Sequence, residues 1–177
     1  MSASSASSAE RPGAGEHAPY YERYVSLVPD GDVVATLGRQ FAETRALLEG
    51  ISEEKAGSRY AEGKWSIKEL VGHLIDAERV FAYRALRFSR GDTTPLPGFE
   101  QDDYVRAADF DSRTLRSLAL EFEHVRASTI LMLQGLGAEA WGRRGTASDS
   151  EVSVRALAYI IAGHELHHVR ILRERYL

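Results

Sequence analysis

The chain of 177 residues contains no cysteine. Disulfide bonds, thiolate nucleophiles and thiolate metal ligands are therefore excluded, and any metal site must use nitrogen and oxygen donors. No apolar run approaches the roughly 18 residues that a membrane-spanning helix needs. Residues 1–19 are rich in Ser, Ala, Pro and Gly and lack the apolar core of a signal peptide. We therefore predict a flexible tail over residues 1–19, one folded domain over residues 20–177, and a cytoplasmic location.

The chain also lacks an excess of positive charge. Its formal net charge is -4 at pH 7, which argues against a nucleic-acid-binding protein that relies on a basic face. Hydrophobic residues make up 44% of the chain and charged residues 27%, which is typical of a soluble globular domain with a full core. Neither a nucleic acid nor a membrane is expected as a partner.

Helical periodicity dominates the rest of the chain. Apolar residues recur at helical spacing in four stretches, at about 32–51, 66–90, 111–135 and 153–175, and no stretch shows the alternation of a strand. The second helix has the clearest start signal: Ser66 and Glu69 form a capping box, and Trp65 and Leu70 form a hydrophobic staple around it. A long connection over residues 91–111 follows. The sequence thus predicts an all-α fold, an antiparallel four-helix bundle with a long loop between helices 2 and 3.

An N-terminal arm precedes the first helix. Residues 20–29 carry three tyrosines and several aliphatic residues. Because this apolar surface is too large to leave in water, we expect the arm to dock on the bundle. The alternatives are that the arm lines a substrate mouth or a dimer contact.

Three of the six histidines fall within five positions near the C-terminus. His164 and His168, at i and i+4, share the apolar face of the fourth helix, so both imidazoles are expected to point inward. A buried polar pair needs a partner, and a divalent metal is the obvious one. His73 lies at the inward edge of the second helix and is the candidate third ligand, because bundle metals are held by facing helices. His164 with His167, at i and i+3, is the competing pair.

Three neutral imidazoles leave a coordination position open for water or substrate, which is typical of a catalytic rather than a structural metal site. The string His164-Glu165-Leu166-His167-His168 also matches the H-E-x-x-H pattern of zinc proteases. Only nine residues follow His168, none of them histidine, so we reject the protease interpretation. Glu165 and Asp76 are candidates for a catalytic base. The alternative for Glu165 is that it faces a neighbouring helix or solvent, and the alternative for Asp76 is that it orients a ligand imidazole. The ordinary alternative is hydrogen-bonded core histidines and solvated carboxylates.

Four further residues are open in role. Asp102 and Asp103, in the long connection, either cover the metal or cap a local turn. Arg84 and Arg87, on the second helix, either bind a substrate carboxylate or lie in solvent.

Three stretches resemble a known family. They are Gly63-Lys64-Trp65-Ser66-Ile67-Lys68-Glu69-Leu70-Val71-Gly72-His73-Leu74-Ile75-Asp76-Ala77-Glu78, then Pro97-Gly98-Phe99-Glu100-Gln101-Asp102-Asp103-Tyr104, and the closing His164-Glu165-Leu166-His167-His168. Together they are similar to the DinB-like superfamily, which includes the YfiT-like metal-dependent hydrolases, and the resemblance covers about residues 20–177. It implies a four-helix bundle, His73, His164 and His168 as metal ligands, and a homodimer. Relatives include low-molecular-weight-thiol S-transferases and mycothiol-dependent isomerases.

Three functional hypotheses follow. In the first, the protein is an enzyme in which one divalent metal ion, zinc, nickel or a similar one, activates water or a low-molecular-weight thiol for reaction with a small-molecule substrate. The lack of cysteine fits a thiol that arrives as a cosubstrate. In the second, the protein is a non-catalytic metal-binding module of a stress response or of partner binding. In the third, the histidines are structural and bind no metal.

Overall fold

The computed structural model describes residues 10–177, and the part of the predicted tail over residues 1–9 lies outside the described residues. The α-helices are, in chain order, α1 (Glu22–Val25), α2 (Val33–Glu49), α3 (Glu53–Ala56), α4 (Ile67–Ser89), α5 (Gln101–Ala108), α6 (Leu115–Gln134), α7 (Ala138–Trp141) and α8 (Val154–Ile171). The strands are β1 (Arg144–Ala147) and β2 (Ser150–Ser153). Short 3-10 helices occupy Pro19–Tyr21 and Phe110–Ser112, and a π-helical turn occupies Leu172–Tyr176.

The four long helices α2, α4, α6 and α8 form the predicted four-helix bundle. Helices α2 and α4 each pack against both α6 and α8, so the four helices enclose one interior. The all-α prediction is therefore confirmed. Within residues 10–177, no helix is both long enough and apolar enough to cross a membrane.

Side-chain caps fix where the bundle helices begin. The Asp32 carboxylate accepts from the backbone N–H of Val34 at 2.8 Å at the start of α2. Ser66 Oγ accepts from Glu69 N at 3.0 Å and Glu69 Oε2 accepts from Ser66 N at 2.7 Å, which is the predicted capping box. Ser153 caps α8 in the same way. These caps satisfy backbone donors that have no partner inside a helix.

A β-hairpin between α7 and α8 was not predicted. β1 and β2 are antiparallel, with Arg144 opposite Ser153 and Ala147 opposite Ser150. Ser148 and Asp149 form the two-residue turn, with φ of 52° and 59°, as hairpin turns of this length require. Strands of four residues are too short to show an alternating pattern in the sequence. The long connection also differs from a simple loop, because it contains α5.

The N-terminal arm docks on α8, as expected. Tyr24, Val25 and Val28 are buried in the core. Arg11 donates to the backbone carbonyls of Val25 at 2.7 Å and Val28 at 2.6 Å, and these hydrogen bonds stabilise the conformation of the arm. Residue 11 belongs to the predicted tail, and the division of the chain at residue 20 stays a prediction.

Gly163 on α8 makes this docking possible. A Cβ atom at this position would lie 2.0 Å from the backbone oxygen of Tyr24. No side chain fits at that distance, so the arm approaches the bare backbone of the helix. By contrast Gly38, within α2, has its nearest outside heavy atom 4.0 Å from the equivalent Cβ position.

We expect Gly163→Ala and Gly38→Ala to change stability in opposite directions. Alanine favours a helix over glycine, so Gly38→Ala should raise the free energy of unfolding by about 0.5–1 kcal/mol. Gly163→Ala must displace the arm and should lower it by about 1–3 kcal/mol. Urea unfolding followed by circular dichroism measures both variants. Equal stabilisation by the two substitutions would contradict the close contact of arm and helix.

Candidate metal centre

The structure brings His73, His164 and His168 together. His73 lies on α4, and His164 and His168 lie one turn apart on α8, the helix packed against it. The Nε2 atoms of His73 and His164 are 3.0 Å apart, and one ring nitrogen from each of the three histidines lies within 4.8 Å of the others. Imidazole nitrogens bind zinc at about 2.0–2.1 Å. The cluster is therefore compact enough for a single ion.

The three imidazoles are held in their neutral form. Burial lowers the pKa of His73 to about 4. Burial also lowers the pKa of His164 well below its ordinary value, and the neighbouring His168, His73 and His167 lower it further. The pKa of His168 is lowered by burial and then by His73 and His167. Neutral imidazole is the form that binds a metal, so no proton must leave these ligands at neutral pH.

Aromatic rings enclose the cluster. The Trp65 ring lies 4.8 Å from the His73 ring, the Tyr24 ring 5.3 Å from the His164 ring, and the Phe81 ring 5.9 Å from the His164 ring, measured between ring centroids. These rings come from the segment before α4, from the arm and from α4 itself. From the sequence these residues are expected in a hydrophobic staple, in the docking arm and in the core. Their common position around the histidines depends on tertiary packing.

The Glu165 carboxylate lies in a buried polar network. It accepts from Arg126 Nη1 at 2.6 Å, from Gln40 Nε2 at 2.6 Å and from Thr44 Oγ1 at 2.7 Å. The side chain is only 1% exposed. Donors thus occupy both carboxylate oxygens, and Glu165 is not brought to the imidazole cluster.

Arg126 is the centre of this network and was missed in the sequence. It donates from Nε at 2.9 Å and from Nη2 at 2.7 Å to the Glu78 carboxylate, and from Nη1 at 3.1 Å to the Leu37 carbonyl. Burial alone would lower the pKa of Arg126, but Glu165 and Glu78 raise it above the ordinary arginine value. The apolar periodicity of α6 favours Val125 as the residue that faces the core. In the structure Arg126 is buried there instead, and the neighbouring Val125 is only partly buried.

Asp76 lies on α4 outside the cluster. Its Oδ1 is 3.7 Å from Arg79 Nη1. Burial raises the pKa of Asp76, Arg79 lowers it and Glu121 raises it, with a net increase. Among residues 10–177, the group of side chains close enough together to bind one metal ion consists of the three histidines and includes no carboxylate.

The remaining candidates occupy positions around the site. His167 is not part of the cluster, and its ring packs 5.3 Å from that of Tyr24. Asp103 lies in the first turn of α5 and pairs with Arg106 at 2.8 Å. Arg84 is buried and donates to the Pro97 carbonyl at 2.9 Å and to Ser148 Oγ at 3.0 Å. It therefore ties the long connection to the hairpin.

Asp102 and Arg87 also lie outside the histidine cluster. Asp102 is an exposed residue of the first turn of α5. Arg87 pairs with Asp92 and Tyr83 at the end of α4. Neither residue contacts the histidine cluster through these partners.

Sequence comparisons identify related proteins. The model of the DinB superfamily matches residues 36–172. A protein of Geobacillus thermodenitrificans named "Putative metal-dependent hydrolase" is 29% identical over 89 residues, which cover 49% of this chain and 50% of that protein. The chain thus spans half of that relative. A protein of Oceanobacillus iheyensis, also named as such a hydrolase, is 26% identical over 149 residues, 77% of each chain.

Solved structures share the fold. YfiT from Bacillus subtilis, described as "a probable metal-dependent hydrolase with an unusual four-helix bundle topology", has a TM-score of 0.66 at 14% identity and covers 93% of this chain and 90% of its own. A mycothiol-dependent maleylpyruvate isomerase has a TM-score of 0.65 at 14% identity, with 77% of this chain and 58% of its own covered. The family match extends over most of the bundle, including all three clustered histidines, and the chain belongs to the DinB superfamily.

Proposed function

We propose that the protein is an enzyme that binds one divalent metal ion through His73, His164 and His168 and uses it to activate a small thiol or water. The convergence of three neutral imidazoles from two helices within 4.8 Å carries this proposal. Three nitrogen donors of this kind suit zinc or nickel and leave a coordination position for an external ligand. A divalent cation in such a site supplies Lewis acidity, which lowers the pKa of a water or thiol bound to it.

The protein's own side chains would define the environment of the reaction. His73 comes from α4 and the other two ligands from α8, so the packing of these helices fixes the ligand geometry. The rings of Tyr24, Trp65 and Phe81 limit the access of bulk water, which strengthens electrostatic interactions at the site. The substrate would be a small molecule that fits between these rings.

Thiol activation, leading to S-transfer or isomerisation, is the first candidate reaction. Glu165 is held by Arg126, Gln40 and Thr44, so it is not free to act as a base toward a water molecule at the site. A free thiol has a pKa of about 8.5 and water one of about 15.7, so a thiol needs far less help to ionise. The shared fold with a mycothiol-dependent isomerase also supports a thiol cosubstrate.

Hydrolysis is the second candidate reaction, favoured by the names of the curated relatives. It uses the same three histidines and a water molecule in place of the thiol. A non-catalytic metal-binding module remains the alternative to both. The homodimer and the cytoplasmic location stay predictions.

The metal site is tested by metal content. Purified protein should carry about one equivalent of divalent metal per chain, and His73→Ala or His168→Ala should lose most of it, because two imidazoles hold a divalent ion far less tightly than three. His124→Ala is the matched control, since His124 is an exposed histidine on α6. Equilibrium dialysis with elemental analysis measures all four proteins. Equal metal content in His73→Ala and the wild type would contradict the site.

The reaction is tested by turnover. Metal-loaded protein should consume a low-molecular-weight thiol together with a small electrophile, at a rate at least about 100-fold above the same protein with His168→Ala, because the metal-activated thiolate is the nucleophile. His124→Ala should keep the wild-type rate. Thiol loss is followed with a thiol-reactive dye. Turnover of esters or amides without thiol would instead assign hydrolysis, and no turnover in either panel would assign the non-catalytic module.

A further inference from the structure

The buried network beneath the histidines carries a surplus of negative charge. Glu78 and Glu165 face the single guanidinium of Arg126, and the three side chains are 3%, 1% and 1% exposed. Arg126 donates to both carboxylates, and Gln40 and Thr44 donate to Glu165. In each of these hydrogen bonds the glutamate oxygen is the acceptor, as an ionised carboxylate is. Two carboxylates and one guanidinium together have a net charge of −1.

Such a surplus is unfavourable in a protein interior. An unpaired charge taken out of water loses its hydration, and mutual attraction within a buried ion pair or triad recovers this loss only in part unless further hydrogen bonds satisfy the remaining polar atoms. Arg84, the other buried arginine, packs over the Phe81 ring and donates to Pro97 and Ser148 of the loop and hairpin. Neither glutamate accepts one of these hydrogen bonds, so Arg84 is not part of the network.

The surplus lies next to the imidazole cluster. Glu165 directly follows His164 in α8, and Glu78 lies on α4, the helix that carries His73. A narrow interior void is lined by His164, Glu165, Glu78 and Arg126 together. The network and His164 therefore border the same void, and the other residues that line it are apolar.

We infer that the Glu78–Arg126–Glu165 network is the electrostatic counterpart of the cation held by His73, His164 and His168. Its surplus negative charge strengthens the binding of a divalent cation by neutral ligands. A divalent cation and the network's single negative charge add up to one positive charge. A singly charged anion of the thiolate class, bound in the open coordination position, balances that charge. Glu78 and Arg126 thus set the affinity of the site without contacting the cation. This inference rests on the proposed function.

The test compares the affinity of four full-length proteins for Zn²⁺, by competition with a chromophoric chelator. Glu78→Gln removes the surplus charge and should raise the Kd about tenfold or more. Glu43→Gln removes an exposed carboxylate of α2 and should leave the Kd within about twofold. The double variant Glu78→Gln/Arg126→Gln restores the surplus through Glu165, and its Kd should return to within about threefold of the wild type.

A structural role for the network predicts different results. In that case the double variant, which loses the whole ion pair, binds Zn²⁺ more weakly than Glu78→Gln alone, and the inference is overturned. A Glu78→Gln protein that fails to fold without metal, or that has the same Kd as Glu43→Gln, also overturns it. Failure of the proposed function is distinct, because the wild type then binds no Zn²⁺ or His73→Ala binds it equally well.

Discussion

The guanidinium of Arg126 imposes the strictest constraint on this bundle. It lies almost completely out of water and must therefore find partners for its N–H groups within the protein. Those partners are Glu78 on α4, Glu165 on α8 and the Leu37 carbonyl on α2, while Arg126 itself belongs to α6. All four helices are thereby fixed against one another. Breaking a buried ion pair of this kind typically costs about 3–5 kcal/mol, so sliding of any one helix is strongly opposed.

The histidine cluster depends on this fixed geometry. Its imidazoles come from α4 and α8, the same helices that supply the two carboxylates to Arg126. A shift of one residue along either helix would rotate an imidazole by about 100° and move it out of the cluster. The polar network and the aromatic rings therefore have complementary effects. The network sets the positions of the backbones, and Trp65, Tyr24 and Phe81 restrict the space that the imidazoles face.

The sequence predicted the features that are local or periodic. The capping box at Ser66, the four helical stretches and the shared face of His164 and His168 all follow from spacing along one helix. The pairing of His73 with that face needed the bundle as an additional assumption. Arg126 could not be distinguished from a solvated helix arginine, because only the approach of three other helices buries it. The hairpin was missed for a different reason: its two strands pair with each other over only four residues each, which is too short for an alternating pattern to show.

The contact between Tyr24 and Gly163 joins two segments that are far apart in the sequence. The segment that covers His164 is made well before the helix beneath it, because Tyr24 precedes Gly163 by 139 residues. Chains emerge from the ribosome at about 5–20 residues per second, so the arm spends several seconds without its docking surface. The enclosure around the imidazoles therefore cannot form until α8 has also been synthesised.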